Sequence, residues 1–264
     1  MVNVVVCVKQ VPDTELSLSI ADGGKDVVRQ DLGYVINPYD EYAIEEALRI
    51  KEKFGGEVTL VAVGPERYEE ALRGGLAMGA DRAIHVKDEA LEGSDPLALS
   101  LVLSKVIAGT EYDLILCGKQ AIEDDSAVVG SALAEFLNLP QVTVVTKLEI
   151  SEDSKSAVAQ REVEGGIEVM EVSLPAVITA QKGLNEPRYA SLRGMMKAKK
   201  MPIDVKSLAD IGLSPEQVGE AGSKLHLVEL YYPPRRSEGR VLEGELPLVV
   251  KELVRCLREE AKVL

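Results

Sequence analysis

The chain of 264 residues has no tryptophan, two phenylalanines, two histidines and three cysteines. With only His85 and His226 available, no Ser–His–acid or Cys–His arrangement and no metal-ligand spacing can be assembled. His85 closes a strand-like run and is read as structural. Cys7, Cys117 and Cys256 are too far apart for a metal cage or a disulfide framework, and the first two lie in apolar runs that suit buried small hydrophobes. The lack of tryptophan carries no functional reading. Cations are in the minority, 30 Lys and Arg against 44 Asp and Glu, for a formal charge of −14. That balance argues against nucleic-acid binding, which draws most of its affinity from basic patches. It favours solubility and charge-steered docking to a basic partner. No apolar run is long enough to span a bilayer, so the chain is not read as a membrane protein. Residues 1–8 have no cationic flank and are not read as a signal peptide, which fits the cytoplasm of a prokaryote. Neither a Walker sequence nor a G-x-G-x-x-G turn is present, which removes support for a P-loop NTPase or a dinucleotide-binding dehydrogenase.

Hydrophobic residues make up 46% of the chain, enough for a core. Residues 2–8, VNVVVCV, form a β-branched apolar run of the kind buried on both faces of a parallel sheet. A polar loop follows. Asn37-Pro38 then reads as an N-cap and first helical residue, and Ala43, Ile44, Ala47, Leu48 and Lys51 recur at helical spacing until Gly55-Gly56. The alternation continues with strands at 57–63, 82–86 and 113–117. Helices fall at 66–78, 95–108 (capped by Ser94 or Asp95) and 125–137. This predicts an α/β fold, a mostly parallel sheet with helices on both faces. Beyond Pro140 the pattern turns to strands at 141–150, 156–164 and 167–172, the last two joined at Gly165-Gly166, and another at 175–180. Residues 1–200 read as the nucleotide-binding domain. Residues 201–264, rich in charge, Pro and Gly and with one helix at 247–261, read as a C-terminal arm that packs on another chain.

In such sheets ligands bind beyond the carboxyl ends of the strands, where the topology reverses. Three segments leave strand ends here: Val8-Lys9-Gln10, Val63-Gly64-Pro65, and Gly118 to Ser126. The third opens a helix, whose free N–H groups and positive dipole end suit a phosphate, and Gly118 permits close backbone approach. Glu123, Asp124 and Asp125 would repel a phosphate if they faced it. The plain alternative is that Asp124 or Asp125 caps the helix.

These residues resemble the beta subunit of electron-transfer flavoproteins over nearly the whole chain. The matching stretches are VCVKQVPDT (Val6 to Thr14), NPYDEYAIEEALRIKE (Asn37 to Glu52), AMGADRAIHV (Ala77 to Val86), GKQAIEDD (Gly118 to Asp125), REVEGG (Arg161 to Gly166) and LNEPRYASLRGMMKAKK (Leu184 to Lys200). The resemblance implies a Rossmann-like, adenine-nucleotide-binding fold and an alpha-subunit partner holding most of a redox FAD. It also implies a buried structural nucleotide, usually AMP. By position the pocket would take Cys7, Asn37, Pro38, Tyr39, Asp40, Val63, Gly118, Lys119, Gln120, Ala121, Ile122, Glu123, Asp124, Asp125, Ser126, Ala127, Val128 and Val129, with Tyr39 close to the FAD ring.

Typical AMP-binding members carry Asn-Gln-Thr where this sequence has Ala127-Val128-Val129. The acidic triplet Glu123-Asp124-Asp125 matches the AMP type. Ala127, Val129, Gly130 and the Lys9 to Thr14 stretch match electron-bifurcating members, which hold a second FAD and oxidise NADH. Leu192 matches an anchoring leucine that docks flavin dehydrogenases, with Lys197 and Lys200 flanking it. Glu162 matches a glutamate that pairs with an alpha-subunit arginine. The implied function is to accept electrons from flavin dehydrogenases, acyl-CoA dehydrogenases among them, and to pass them to a membrane quinone oxidoreductase. A non-redox adenine-nucleotide regulator of related fold is the remaining alternative.

Overall fold

The computed structural model describes residues 1–13, 18–28, 32–234 and 239–264. Thr14, at the end of the first matching stretch, lies outside the described residues. The chain divides into two compact units, Met1–Val228 and Glu229–Leu264.

The first unit is built on nine strands. β1 (Val4–Cys7) is all buried, as its unbroken β-branched run requires. It pairs in parallel with β4 (Val58–Val63) on one side and β6 (Leu114–Gly118) on the other. β5 (Arg82–Val86) adds to β4, and β10 (Ala176–Ala180) adds to β6, both parallel. β7 (Gln141–Ile150) joins β10 in parallel and then folds back antiparallel through β8 (Ser156–Val163) and β9 (Gly166–Ser173). β11 (Asp204–Lys206) closes the far edge against β5, giving the order β11-β5-β4-β1-β6-β10-β7-β8-β9.

Alternating side chains of each strand supply two cores. Val4 and Val6 of β1 and Leu114 and Leu116 of β6 face α1 (Pro38–Phe54) and α2 (Tyr68–Met78). Val5, Cys7, Ile115 and Cys117 face α3 (Pro96–Ala108) and α4 (Val129–Leu137). The α/β reading with helices on both faces therefore holds. The chain lays β4 and β5 on one side of β1 and then returns to place β6 on the other, so the topology reverses at β1.

Three features depart from the sequence reading. The polar loop after β1 contains a small antiparallel pair, β2 (Gln10–Pro12) and β3 (Tyr34–Ile36). A short helix α5 (Leu192–Ala198), capped by Ser191, lies in the basic segment. The third concerns the arm, expected from residue 201, whereas the unit boundary falls after Val228. Residues 201–228 supply β11, a four-residue helix α6 (Gly219–Gly222), and Leu208, Leu213 and Val218, which are buried in the core facing α3 and α4. These apolar residues stand singly among polar ones, so no periodicity marks them. Backbone bonds fasten the segment. Ser94 Oγ accepts from Gly219 N at 2.8 Å, while Asp95 caps α3 through Ala98 N at 2.8 Å and also accepts from Lys224 N at 2.6 Å and Leu225 N at 3.1 Å.

The second unit carries α7 (Leu246–Arg255), which runs on into a wider helical turn at Cys256–Glu260. None of the residues of α7 is buried, and Leu246, Leu248, Val250 and Leu253 are exposed. Arg255 ties Glu252, Glu259 and Glu260 together on one side.

Asp95 thus serves a helix start and a distant loop at once. Asp95→Ala is expected to cost about 2–4 kcal/mol, a lost cap plus stranded N–H groups. Urea unfolding measures the loss, and amide exchange should rise at residues 219–225 before the sheet opens.

Candidate functional site

Beyond the carboxyl ends of β1, β4 and β6, at the reversal of the topology, lies a cavity of about 740 Å³ including its open mouth. This is the position at which open α/β sheets take ligands. Its floor is apolar: Cys7, Val61, Val63 and Cys117 come from the strand ends, and Leu99 and Leu103 from α3. Its rim is polar and comes from Lys9, Asn37, Asp40 and the 118–128 loop.

Asp40 organises the rim. Its Oδ2 accepts from Lys9 N at 2.7 Å, and its Oδ1 accepts from Asn37 Nδ2 at 2.9 Å and Gly118 N at 3.1 Å. One carboxylate thereby ties the end of β1, the start of α1 and the end of β6. A Cβ at position 118 would overlap Asp40 Oδ1, so glycine is required there for close approach. Burial pushes the Asp40 carboxyl up to about 7, against the three N–H donors and Lys9, which favour the charged form. Asn37 begins α1 but does not cap it with its side chain. That amide instead donates to Gln120 O at 2.9 Å and accepts from Ile122 N at 3.3 Å, holding the loop.

The loop itself differs from expectation. α4 starts at Val129, not Asp125, and neither Asp124 nor Asp125 caps it. Asp125 and Ala127 both have left-handed backbones, φ 51° and 54°, and the turn they make delays the helix. Asp124 accepts from Ser126 N at 2.9 Å, and Asp125 accepts from Gln120 Nε2. Lys9 forms ion pairs with Glu123 and, at 3.7 Å, with Asp124. Burial works against the Lys9 charge, yet Glu123, Tyr68 and Asp124 hold its pKa above the usual value. The acidic triplet is thus partly neutralised and turned into the loop. The start of α4 has no side-chain cap, and Val128, Val129 and Gly130 stand on the cavity wall.

Of the residues expected at the pocket, Cys7, Asn37, Asp40, Val63, Gly118, Lys119, Gln120, Ala121, Asp124, Ser126, Ala127, Val128 and Val129 line the cavity. Pro38, Tyr39, Ile122, Glu123 and Asp125 do not. Tyr39 stands just outside, with Lys119 Nζ 5.1 Å from its ring centre. The sequence reading missed Val61, Tyr68, Pro96, Leu99, Leu103 and Cys117; Val8 and Lys9, named as a strand-end segment, and Gly130, named in the family match, line the cavity as well. Pro96, Leu99 and Leu103 recur on one helical face, a signal equally explained by core packing. Cys7 and Cys117 are both free, and the Cys7 thiol is pushed well up by its hydrogen bond to Cys117 and by burial, so it stays protonated and inert.

His85 is buried, with Nε2 3.0 Å from Gly64 O, and burial lowers its pKa; it is a structural residue. No group of His, Cys, Asp and Glu suited to a metal occurs among the described residues. No helix among them is long and apolar enough to cross a membrane.

The residues expected to dock a partner lie elsewhere. Leu192 opens α5 with 73% of its surface exposed, and Lys197 and Lys200 are exposed at and beyond the helix end. Glu162 on β8 accepts from Gln181 Nε2 at 3.0 Å.

The folded-state pKa of Asp40, about 7, lies above its ordinary 3.8, so the folded state holds the extra proton between those values. Stability should therefore fall as pH rises from about 4 to about 7 and level off above that range. Asp40→Asn should abolish that part of the slope in urea unfolding across a pH series.

The electron transfer flavoprotein domain family matches residues 25–211. An electron transfer flavoprotein subunit beta of Bacillus subtilis (strain 168) is 45% identical over 264 residues, covering 99% of this chain and 100% of the relative. A subunit of the same description from Thermoanaerobacterium thermosaccharolyticum is 40% identical over 256 residues, 97% of each chain. The caffeyl-CoA reductase-Etf complex subunit CarD of Acetobacterium woodii is 40% identical over 262 residues, 98% of each chain. With the family domain covering most of its length and relatives matched end to end, the chain belongs to the electron-transfer flavoprotein family, among its beta subunits.

Proposed function

We propose that this chain is the nucleotide-binding half of a heterodimeric electron carrier in the prokaryotic cytoplasm. Its alpha subunit would hold most of the FAD. The observation that carries the reading is the cavity at the topological reversal, with an apolar floor and an uncapped helix start on its wall. Those features fit an adenosine phosphate. The adenine would lie against Val61, Val63 and Leu103, and the phosphate would meet backbone N–H groups at Val129 and Gly130. The Lys9 ion pairs remove much of the repulsion from Glu123 and Asp124. AMP is the ligand we assign, held as a structural element.

FAD supplies the redox chemistry when bound. This chain contributes position, a nucleotide and a docking face. The face is α5: Leu192, Met195 and Met196 are exposed, with Arg193, Lys197, Lys199 and Lys200 around them. One apolar anchor ringed by cations gives a small, reversible contact that suits an acidic flavin dehydrogenase, acyl-CoA dehydrogenases among them. Electrons would pass on to a membrane quinone oxidoreductase. Glu162 and the second unit, with its exposed apolar helix, are assigned to the alpha-subunit contact.

A second reading has its own support. The relative named for a caffeyl-CoA reductase-Etf complex is 40% identical, and Ala127, Val129 and Gly130 fit a pocket holding a second FAD for NADH-driven bifurcation.

Release and chromatography of nucleotides from the purified heterodimer decides between them. One FAD with one AMP is expected; two FAD would establish the second reading, and no flavin would remove both. Leu192→Ala should lower the kcat/KM of transfer from the dehydrogenase by about tenfold or more while leaving the flavin spectrum unchanged. Undiminished transfer would remove the docking face.

A further inference from the structure

The segment carrying Leu192 is fastened to the body at both ends by arginines on α1 and α2 contacts. Upstream, Arg188 reaches α1, with Nε 2.7 Å from Glu45 and Nη1 2.5 Å from Glu52. Beside it, Asn185 donates to Tyr42 O at 3.0 Å and to Glu46 at 2.9 Å. Downstream, Arg73 of α2 donates through Nη1 to the carbonyls of Ala198 at 2.7 Å and Met201 at 2.5 Å. The guanidinium is held from behind by Glu69, one turn earlier, 2.9 Å from Nη2.

α5 has seven residues, too few to persist without outside support. Arg73, from another helix, adds a donor to Ala198 O, which also accepts from Met201 N at 3.2 Å, and supplies one to Met201 O just beyond the helix. The helix also sits close on α2. A Cβ at Gly194 would overlap the carbonyl oxygen of Ala77, so only glycine permits this approach, and Ala198 is buried beneath. The underside of α5 is therefore fixed, while Leu192, Met195 and Met196 project outward.

We propose that Arg73 is a positioning residue for partner docking. By holding the end of α5 it presents Leu192, Lys197 and Lys200 in a single arrangement before the partner arrives, so that the encounter does not have to order them. The proposal rests on the docking role given to α5 above. Lysine cannot substitute fully: a compact ammonium cannot bond two carbonyls and Glu69 in one plane.

The test uses the complete heterodimer and an acyl-CoA dehydrogenase reduced by its acyl-CoA substrate, with the heterodimer concentration varied. Arg73→Gln should raise KM for the heterodimer about tenfold, the equivalent of one lost charge-assisted hydrogen bond. Its kcat, its flavin spectrum and its reduction by dithionite should be unchanged. Amide exchange should rise at residues 192–201, and Arg73→Lys should restore part of the KM. Unchanged KM in Arg73→Gln, with Leu192→Ala impaired, overturns the proposal and leaves the docking face standing. Normal transfer by Leu192→Ala removes the docking face and the proposal with it. A lower kcat with flavin loss also overturns it, because Arg73 would then support the fold alone. Should Arg73→Gln not assemble, Glu69→Gln loosens the same guanidinium; a KM rise with faster exchange at 192–201 supports the proposal, and no change in either overturns it.

Discussion

Asp40 accepts from Lys9, Asn37 and Gly118, three groups that lie up to 78 positions from it in the chain. All three partners are N–H donors, so only a group that accepts at both oxygens fits. The carboxylate sits in a buried site where its charge is costly, and the three donors with nearby Lys9 offset much of that cost. Without this junction the ends of β1 and β6 would have no common reference. The cavity wall is made from those ends, and Asn37, oriented by the same carboxylate, holds the loop that completes it.

The same helix serves the other end of the molecule. α1 begins at the cavity with Asp40, and further along it offers Glu45, Glu46 and Glu52 to Asn185 and Arg188. Burial opposes the charge of Glu45, yet Arg188 and Arg49 hold its pKa below the usual carboxylate range. Glu46, hydrogen-bonded to the Asn185 amide, is raised by burial. A helix whose buried residues include three carboxylates is unusual for a core element, where acids are seldom buried without partners. Here each carboxylate fastens a segment that has little core of its own.

Much of the sheet was legible in the sequence. Continuous β-branched runs such as residues 4–7 can satisfy neither a helix nor a half-exposed strand, and the helices between them carry clear periodicity. The segments that leave the strand ends, Val8-Lys9-Gln10, Val63-Gly64-Pro65 and the Gly118 loop, pointed to the cavity. What escaped was tertiary in origin. β11 has three residues and no apolar pattern, and it is a strand only because β5 offers an edge. Asp124 or Asp125 read as a possible helix cap because Asp is the ordinary cap. The left-handed turn at Asp125 and Ala127 is dictated by Asn37, Gln120 and Lys9, which are remote in sequence or in the loop itself. Arg73 gave no signal of this role, since beyond its i,i+4 pair with Glu69 its partners are backbone carbonyls, which every residue has.

The strand order carries a consequence for the order of assembly during synthesis. β10 lies between β6 and β7, yet it is made after β7, β8 and β9. Until residue 180 is available, the four-strand parallel block of β5, β4, β1 and β6 presents an open edge, and the later meander presents another. Two unsatisfied edges on one nascent chain invite wrong pairing, with each other or with a neighbouring copy. A single five-residue strand, AVITA, seals both at once. Its pairing with β6 on one side and β7 on the other joins the two blocks into one sheet.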